Sequence, residues 1–272
     1  MILVSAIVVI VEYKMKNKNK INKGICIATP FYSEDVKVQY MESMLKTHLE
    51  FQKSGIPIIN IFLYNTSLIT KARNELISKF MNNTDLDYFI FIDSDMSFKP
   101  KDIIKLMNYE KEIIGATYPK KVLNWMELQK GIINNVAENS IELIQKTSKY
   151  TIYDKKKNKL SNGLMEIERL GTGFMMIKRS LIEKMEKKYP NLMYKMEKQI
   201  NEKEKDRKKG YGFFDSRLIN KEHISEDYSF CEYVKGAGEK IYIDPKIELG
   251  HHGGNLSFFG NYEKHIDYGN RK

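Results

Sequence analysis

The chain has 272 residues, a formal net charge of +10 and two cysteines, enough length for one large α/β domain with a real core but not for a second full domain. Cys26 and Cys231 lie far apart and form no CxxC pair, which excludes a disulfide framework and fits a reducing, cytoplasmic setting. The charge excess is mostly lysine accompanied by much Asn and Ile, a bias that an AT-rich coding sequence produces by itself, so nucleic acid is not an expected partner.

Residues 1–11 are apolar, short of the roughly 20 that a membrane helix needs. They lack a basic leader and a small-residue cleavage site, so they read as an extra strand or a frayed tail and give no firm membrane anchor. Residues 14–23 are a Lys/Asn-rich linker, and the folded domain is expected from Gly24. Residues 24–29 read as a first buried strand, stopped by Pro30. Ser33 is placed to cap a helix over 35–54, with Glu34 and Asp35 suited to its dipole and Gly55 as its stop. Residues 57–64 form a second strand. The next helix, 67–80, gathers Ile69, Ala72, Leu76, Ile77 and Phe80 on one face and carries Arg73 near its amino end.

Tyr88 to Ile92 is β-branched or aromatic throughout, as in a strand covered on both faces by helices. It runs directly into Asp93-Ser94-Asp95. Ligands of open α/β sheets bind at the carboxyl ends of the strands, and residues i and i+2 of an extended chain face one side. Two carboxylates so placed repel each other unless a cation lies between them. Oxygen ligands suit Mg²⁺ or Mn²⁺, which in turn suit a diphosphate. Asp and Ser are equally at home in a turn after a strand, and the short motif alone does not separate the two readings.

Pro100 opens a short helix to Asn108, and 112–118 is another apolar strand. Strands and helices thus alternate through the first half, the signature of βαβ units and a parallel sheet. In the second half, 131–136, 140–145 and 150–153 read as short strands of antiparallel hairpins. Gly171-Thr172-Gly173 precedes the apolar 174–177, and 179–188 is a helix. The charged run 195–210 is expected as a solvated helix or a disordered insertion. Ser225 caps a helix that stops at Gly236, 240–243 is a last strand, and the tail carries Gly250-His251-His252-Gly253-Gly254.

In order along the chain, Ala28-Thr29-Pro30, Leu68-Ile69-Thr70-Lys71-Ala72-Arg73-Asn74, Asp93-Ser94-Asp95, Tyr118-Pro119-Lys120-Lys121, Gly171-Thr172-Gly173-Phe174, Ser225-Glu226-Asp227-Tyr228 and Gly250-His251 appear. This ordered set resembles that of glycosyltransferases of the GT-A fold, close to the family-two type, over 24–260. The resemblance implies an α/β fold with a mixed, mainly parallel central sheet flanked by helices and a smaller antiparallel part in the second half. It implies one catalytic domain over 24–272 behind the tail and linker 1–23, with a nucleotide-binding half at 24–120 and an acceptor-binding half at 121–272.

The activity implied is metal-dependent transfer of a sugar from a nucleotide-sugar donor, UDP-sugars favoured, to a hydroxyl of a glycan, protein or other acceptor, with inversion. By the resemblance, Asp95 touches Mn²⁺ (or Mg²⁺) directly, and Asp93 serves the ribose or a metal-bound water. His251 is the third ligand, preferred to His252 because neighbours in an extended segment face opposite ways. Asp227 is the general base with Glu226 as fallback, although acids in a first helical turn are also favoured by the dipole alone. Thr29, Pro30 and Tyr32 border the nucleotide base, Ser94 lies with the nucleotide, and Arg73 meets a phosphate or the base. Gly171 and Gly173 let donor or acceptor approach the backbone. Trp125 is a platform for a sugar or a buried residue.

The alternative from another class is a phosphatase of the haloacid dehalogenase type, with Asp93 as nucleophile and Asp95 as acid/base. Its motif belongs on the first strand of the core, whereas two strand-helix units precede Asp93 here.

Overall fold

The computed structural model describes residues 23–32, 35–154, 160–197, 203, 205, 207–253 and 256–269. Its first part runs β1 (Ile25–Pro30), α1 (Val38–Ser54), β2 (Ile58–Leu63), α2 (Ile69–Asn83), β3 (Tyr88–Ile92), β4 (Met96–Ser97), α3 (Pro100–Asn108) and β5 (Ile113–Gly115). Next come α4 (Trp125–Ile133), α5 (Ser140–Thr147), β6 (Ile152–Tyr153), β7 (Leu160–Ser161), β8 (Leu164–Ile167), β9 (Arg169–Leu170), β10 (Phe174–Lys178) and α6 (Arg179–Lys188). The last part holds β11 (Met193–Lys195), β12 (Lys209–Tyr211), β13 (Arg217–Ile219), β14 (Glu222–Ile224), α7 (Glu226–Gly236), β15 (Ile241–Ile243), β16 (Leu249–Gly253), β17 (Leu256–Gly260) and α8 (Tyr262–Gly269).

The central sheet has eight strands in the order β2-β1-β3-β10-β5-β15-β8-β7. β1 lies parallel to both β2 and β3, and β15 is parallel to β5. β10 is inserted antiparallel between β3 and β5. The fold is therefore the expected α/β class: a mixed, mainly parallel sheet flanked by helices, with small antiparallel sheets beside it. Strands from both halves of the chain interleave in the one sheet.

Alternation along the inner strands builds two cores. Ile25, Ile27, Tyr88, Ile90 and Ile92 pack toward Tyr40, Met44 and Phe51 of α1 and Ile103 and Leu106 of α3. Cys26, Ala28, Phe89 and Phe91 pack on the other face against Leu76 and Phe80 of α2, Leu181 and Met185 of α6, and Phe230 and Val234 of α7. Both faces are dry, which is why β3 reads as an unbroken apolar run. Gly55 ends α1 in the left-handed conformation at φ 64°, where a residue without Cβ is least strained. Ser33 and Glu34, expected to open that helix, lie outside the described residues.

The second half departs from expectation at 131–136 and 140–145, which belong in and around two helices rather than hairpins. Asn139 caps α5 by accepting from the Glu142 amide at 2.9 Å. A Cβ on Gly131 would stand 2.8 Å from Leu143 Cδ1, so its absence lets α4 close on α5. Packing overrides the β-branched composition. The flanks of the charged run form the antiparallel pair β11–β12, while 198–202, 204 and 206 lie outside the described residues, as do 1–22. Among the described residues, no helix is long and apolar enough to cross a membrane.

Candidate active site

The site is built where β3 stops. The Asp93 amide donates to the Gly173 carbonyl at 3.2 Å and carries the β3–β10 ladder one residue further. The chain then turns, with the Met96 amide bonded to the Asp93 carbonyl at 3.1 Å, and β4 pairs with β16 so that His251 stands opposite Met96. The His252 amide donates to the Asp95 carbonyl at 2.8 Å. This register brings a C-terminal histidine beside the second carboxylate.

Asp95 Oδ2 accepts from the Lys121 ammonium. Its Oδ1 is buried without a hydrogen-bond partner, and His251 Nε2 lies 3.7 Å from it. His251 Nδ1 lies 2.8 Å from the Pro119 carbonyl. A carbonyl only accepts, so Nδ1 is assigned a proton, and Nε2, the ring's other nitrogen, faces Asp95. When Nε2 carries no proton, two acceptors face each other across a gap that a proton or a cation fills. Burial raises the Asp95 carboxyl, but His251 in its protonated form and the Lys121 ammonium outweigh it and hold the group at about 2.

Asp93 is engaged elsewhere. Arg73 Nη2 donates to Asp93 Oδ1 at 3.1 Å, and Arg73 Nε lies 3.5 Å from Glu226 Oε1. Arg73 is only 4% exposed, and its guanidinium sits over the Phe91 ring, 5.2 Å from its centre. Burial opposes its charge, yet Asp93 and Glu226 more than compensate and raise its pKa. Glu226 is pushed up by burial and by Asp227 beside it, against the pull of Arg73. Arg73, expected to meet a phosphate or the base, stands as an internal strut between two carboxylates.

Tyr118 joins the two clusters. Its hydroxyl accepts from the Gly173 amide at 2.9 Å, and its ring meets His251 edge-on at 5.0 Å. Burial drives the hydroxyl pKa far up, with the Asp93 and Asp227 charges adding to the shift. Gly171 and Gly173 make room for this tyrosine. A Cβ at Gly173 would fall 2.3 Å from Tyr118 Oη, and one at Gly171 3.1 Å from it. Gly173→Ala is therefore expected to destabilise the fold by about 2 kcal/mol, since overpacking of a close contact costs that much. A urea titration with an unchanged midpoint would contradict this.

Asp227 opens α7. Its Oδ1 accepts from the Ser225 hydroxyl and, at 2.8 Å, from the Tyr228 amide. Its second oxygen has no partner among the described residues. Of the other expected residues, Thr29 is fully buried with Oγ1 2.6 Å from the Tyr40 hydroxyl, Pro30 is buried, and Tyr32 is exposed. Ser94 is half-buried in the turn after β3. His252 is buried between Ser97 Oγ and Ser257 Oγ, each at 2.8 Å, and burial lowers its pKa. It faces away from Asp95, into the wall of a separate cavity of about 800 Å³ that also holds Ser97 and Gly250.

Among the described residues, no group of three or more His, Cys, Asp or Glu stands close enough to hold a metal ion. Asp95 and His251 converge; Asp93 does not join them. Tyr118, the Pro119 carbonyl and Lys121 are the parts that residue-by-residue reading passed over. Their signal was the compact run Tyr118-Pro119-Lys120-Lys121 after an apolar strand.

No family model and no curated protein matches the chain. Among solved structures it is similar to A197 from STIV, at 14% identity and a TM-score of 0.47 over 88% of this chain and 94% of that one. It is similar to a glycosyltransferase involved in the glycosylation of the major capsid of PBCV-1, at 10% identity and a TM-score of 0.32 over 62% of this chain and 66% of that one. It is also similar to UDP-glucose pyrophosphorylase complexed with UDP-glucose, at 10% identity and a TM-score of 0.40 over 91% of this chain and 97% of that one. No residue role follows from these likenesses.

Proposed function

We propose that the chain is a glycosyltransferase that takes a sugar from a nucleotide-diphosphate donor, a UDP-sugar by preference, to an acceptor hydroxyl. The observation that carries the reading is the buried, unpartnered Asp95 Oδ1 facing His251 Nε2 at the carboxyl end of the sheet. These two donors suit Mn²⁺ or Mg²⁺, and a site with few protein ligands suits an ion completed by substrate phosphates and water. Asp95 and His251 would hold that ion, which supplies Lewis-acid neutralisation of a leaving diphosphate. Pro119 fixes the His251 ring, and Tyr118 braces it.

The chain's own groups perform the rest. Asp227 offers its free oxygen to take the acceptor O–H proton as the new C–O bond forms at the anomeric carbon and the bond to the diphosphate breaks with its electron pair. Glu226, tied to Arg73, is less free to do so. Arg73 holds Asp93 at the end of β3 and keeps the site's framework together. The phosphatase alternative gains no support, because the Asp93 carboxylate is bound to a buried guanidinium instead of standing open as a nucleophile.

A thermal-shift screen of UDP-, GDP-, CMP- and dTDP-sugars with and without Mn²⁺ tests the reading. A ligand present at 100 times its dissociation constant stabilises the fold by about 2.7 kcal/mol. One donor raising the melting temperature only with Mn²⁺ is expected; no shift with any donor sinks the proposal.

Lys121 gives a finer test. Its ammonium holds Oδ2 of the carboxylate whose Oδ1 would face the ion, so its charge opposes added metal. Lys121→Met is expected to bind Mn²⁺ alone about tenfold more tightly, a difference of about 1.4 kcal/mol, while UDP with Mn²⁺ binds more weakly for want of its charge. Titration calorimetry reads both, and weaker Mn²⁺ binding in the variant would show that Lys121 does not contest the seat.

A further inference from the structure

The segment that follows Lys121 carries its apolar side outward. Val122, Trp125, Met126, Ile132 and Ile133 are between 63% and 74% exposed. A period of 3.6 places Trp125, Met126, Gln129, Ile132 and Ile133 on one face of α4. The opposite face is the one that packs: Gly131 is buried, set against Leu143 and Thr147 of α5. Cavities border α4 on that inner side, lined by Lys120, Asn124 and Glu127 or by Lys130 and Asn134, and the outward apolar side chains line neither. The helix is therefore amphipathic in the inverted sense, and its apolar stripe projects from the surface instead of walling a groove.

Contiguous exposed apolar surface of this kind marks an interaction site, and the charge around it selects the partner. Lys120 and Lys149 flank the start of α4 in one cavity wall, both are exposed, and neither forms an ion pair with a carboxylate among the described residues. The whole chain carries +10. Two such chains repel each other, whereas an anionic surface attracts them. A projecting stripe with one indole, a thioether and aliphatic branches, on a helix whose start lies beside these two lysines, suits the boundary between lipid headgroups and acyl chains. We propose that α4 docks on an anionic lipid surface. This inference does not depend on the transfer reading, because it uses none of the residues around Asp95.

Trp125 is the only tryptophan of the chain, so its emission reports directly on the stripe. Vesicles of equal parts phosphatidylcholine and phosphatidylglycerol, added to the full chain, are expected to shift that emission to the blue and to sediment the protein. Added salt weakens the effect by screening. The double variant Ile132→Asp, Ile133→Asp changes two exposed side chains, keeps the melting temperature, and is expected to lose about tenfold or more in vesicle affinity. The double variant also separates α4 from the apolar residues 1–11. Undiminished binding in it overturns the proposal, as does the absence of any shift with anionic vesicles. Equal, salt-insensitive binding to phosphatidylcholine alone removes the anionic requirement and overturns it too. An emission shift that grows with protein concentration in the absence of lipid, together with a dimer in sedimentation, assigns the stripe to a second copy instead.

Discussion

Asp95→Ala is expected to lower sugar transfer by about a thousandfold or more, the scale on which removal of a charge-stabilising group acts. The variant takes away the oxygen that faces His251 and the one that holds Lys121, so both the ion and the diphosphate lose their anchor. The fold should survive. Lys121 is a third exposed and can turn to water, and a partly exposed ion pair contributes about 1 kcal/mol or less. Acid stability provides a second readout. The Asp95 carboxyl is held at about 2 against an ordinary 3.8. A lowered folded-state pKa stabilises fully above the ordinary value and loses that contribution as the pH falls toward the folded value. Between those two pH values, Asp95→Ala should lose less stability than the parent chain. Activity above about a tenth of the parent level would place the chemistry elsewhere.

β3 was legible because burial on both faces leaves its mark on every residue from Tyr88 to Ile92, and the position of Asp93 and Asp95 follows from that strand alone. The separation of His251 from His252 was legible too, since strand alternation sends one toward Asp95 and the other between two serines. What escaped were features set by tertiary packing. Arg73 reads in sequence as a cation for a phosphate or the base, and only the approach of Glu226 and Asp93 from distant elements makes it a buried strut. Gly173 reads as a ligand cradle, but the group that fills the space is Tyr118, 55 residues away. The helices α4 and α5 were hidden because Ile and Val suit strands, and neither the Asn139 cap nor the Gly131 contact has a hydrophobic period to announce it.

The Arg73 strut also decides which acid at the start of α7 is free. Asp227→Asn is expected to reduce kcat by about a hundredfold or more, the usual scale for loss of a general base, with nucleotide binding and its Mn²⁺ dependence unchanged. Glu226→Gln should cost less, because Glu226 spends its charge on Arg73. The two variants separate by pH as well. Burial and Asp227 raise the Glu226 pKa, so its contribution to stability is full below the ordinary carboxylate value and declines as the pH rises through the folded value. Glu226→Gln should remove that decline, and melting curves across the acid range will read it. A larger kcat loss in Glu226→Gln than in Asp227→Asn would transfer the base role to Glu226. The asparagine can still accept from the Ser225 hydroxyl and the Tyr228 amide, so the contacts at the amino end of α7 are kept and the loss of rate reports on the free oxygen alone.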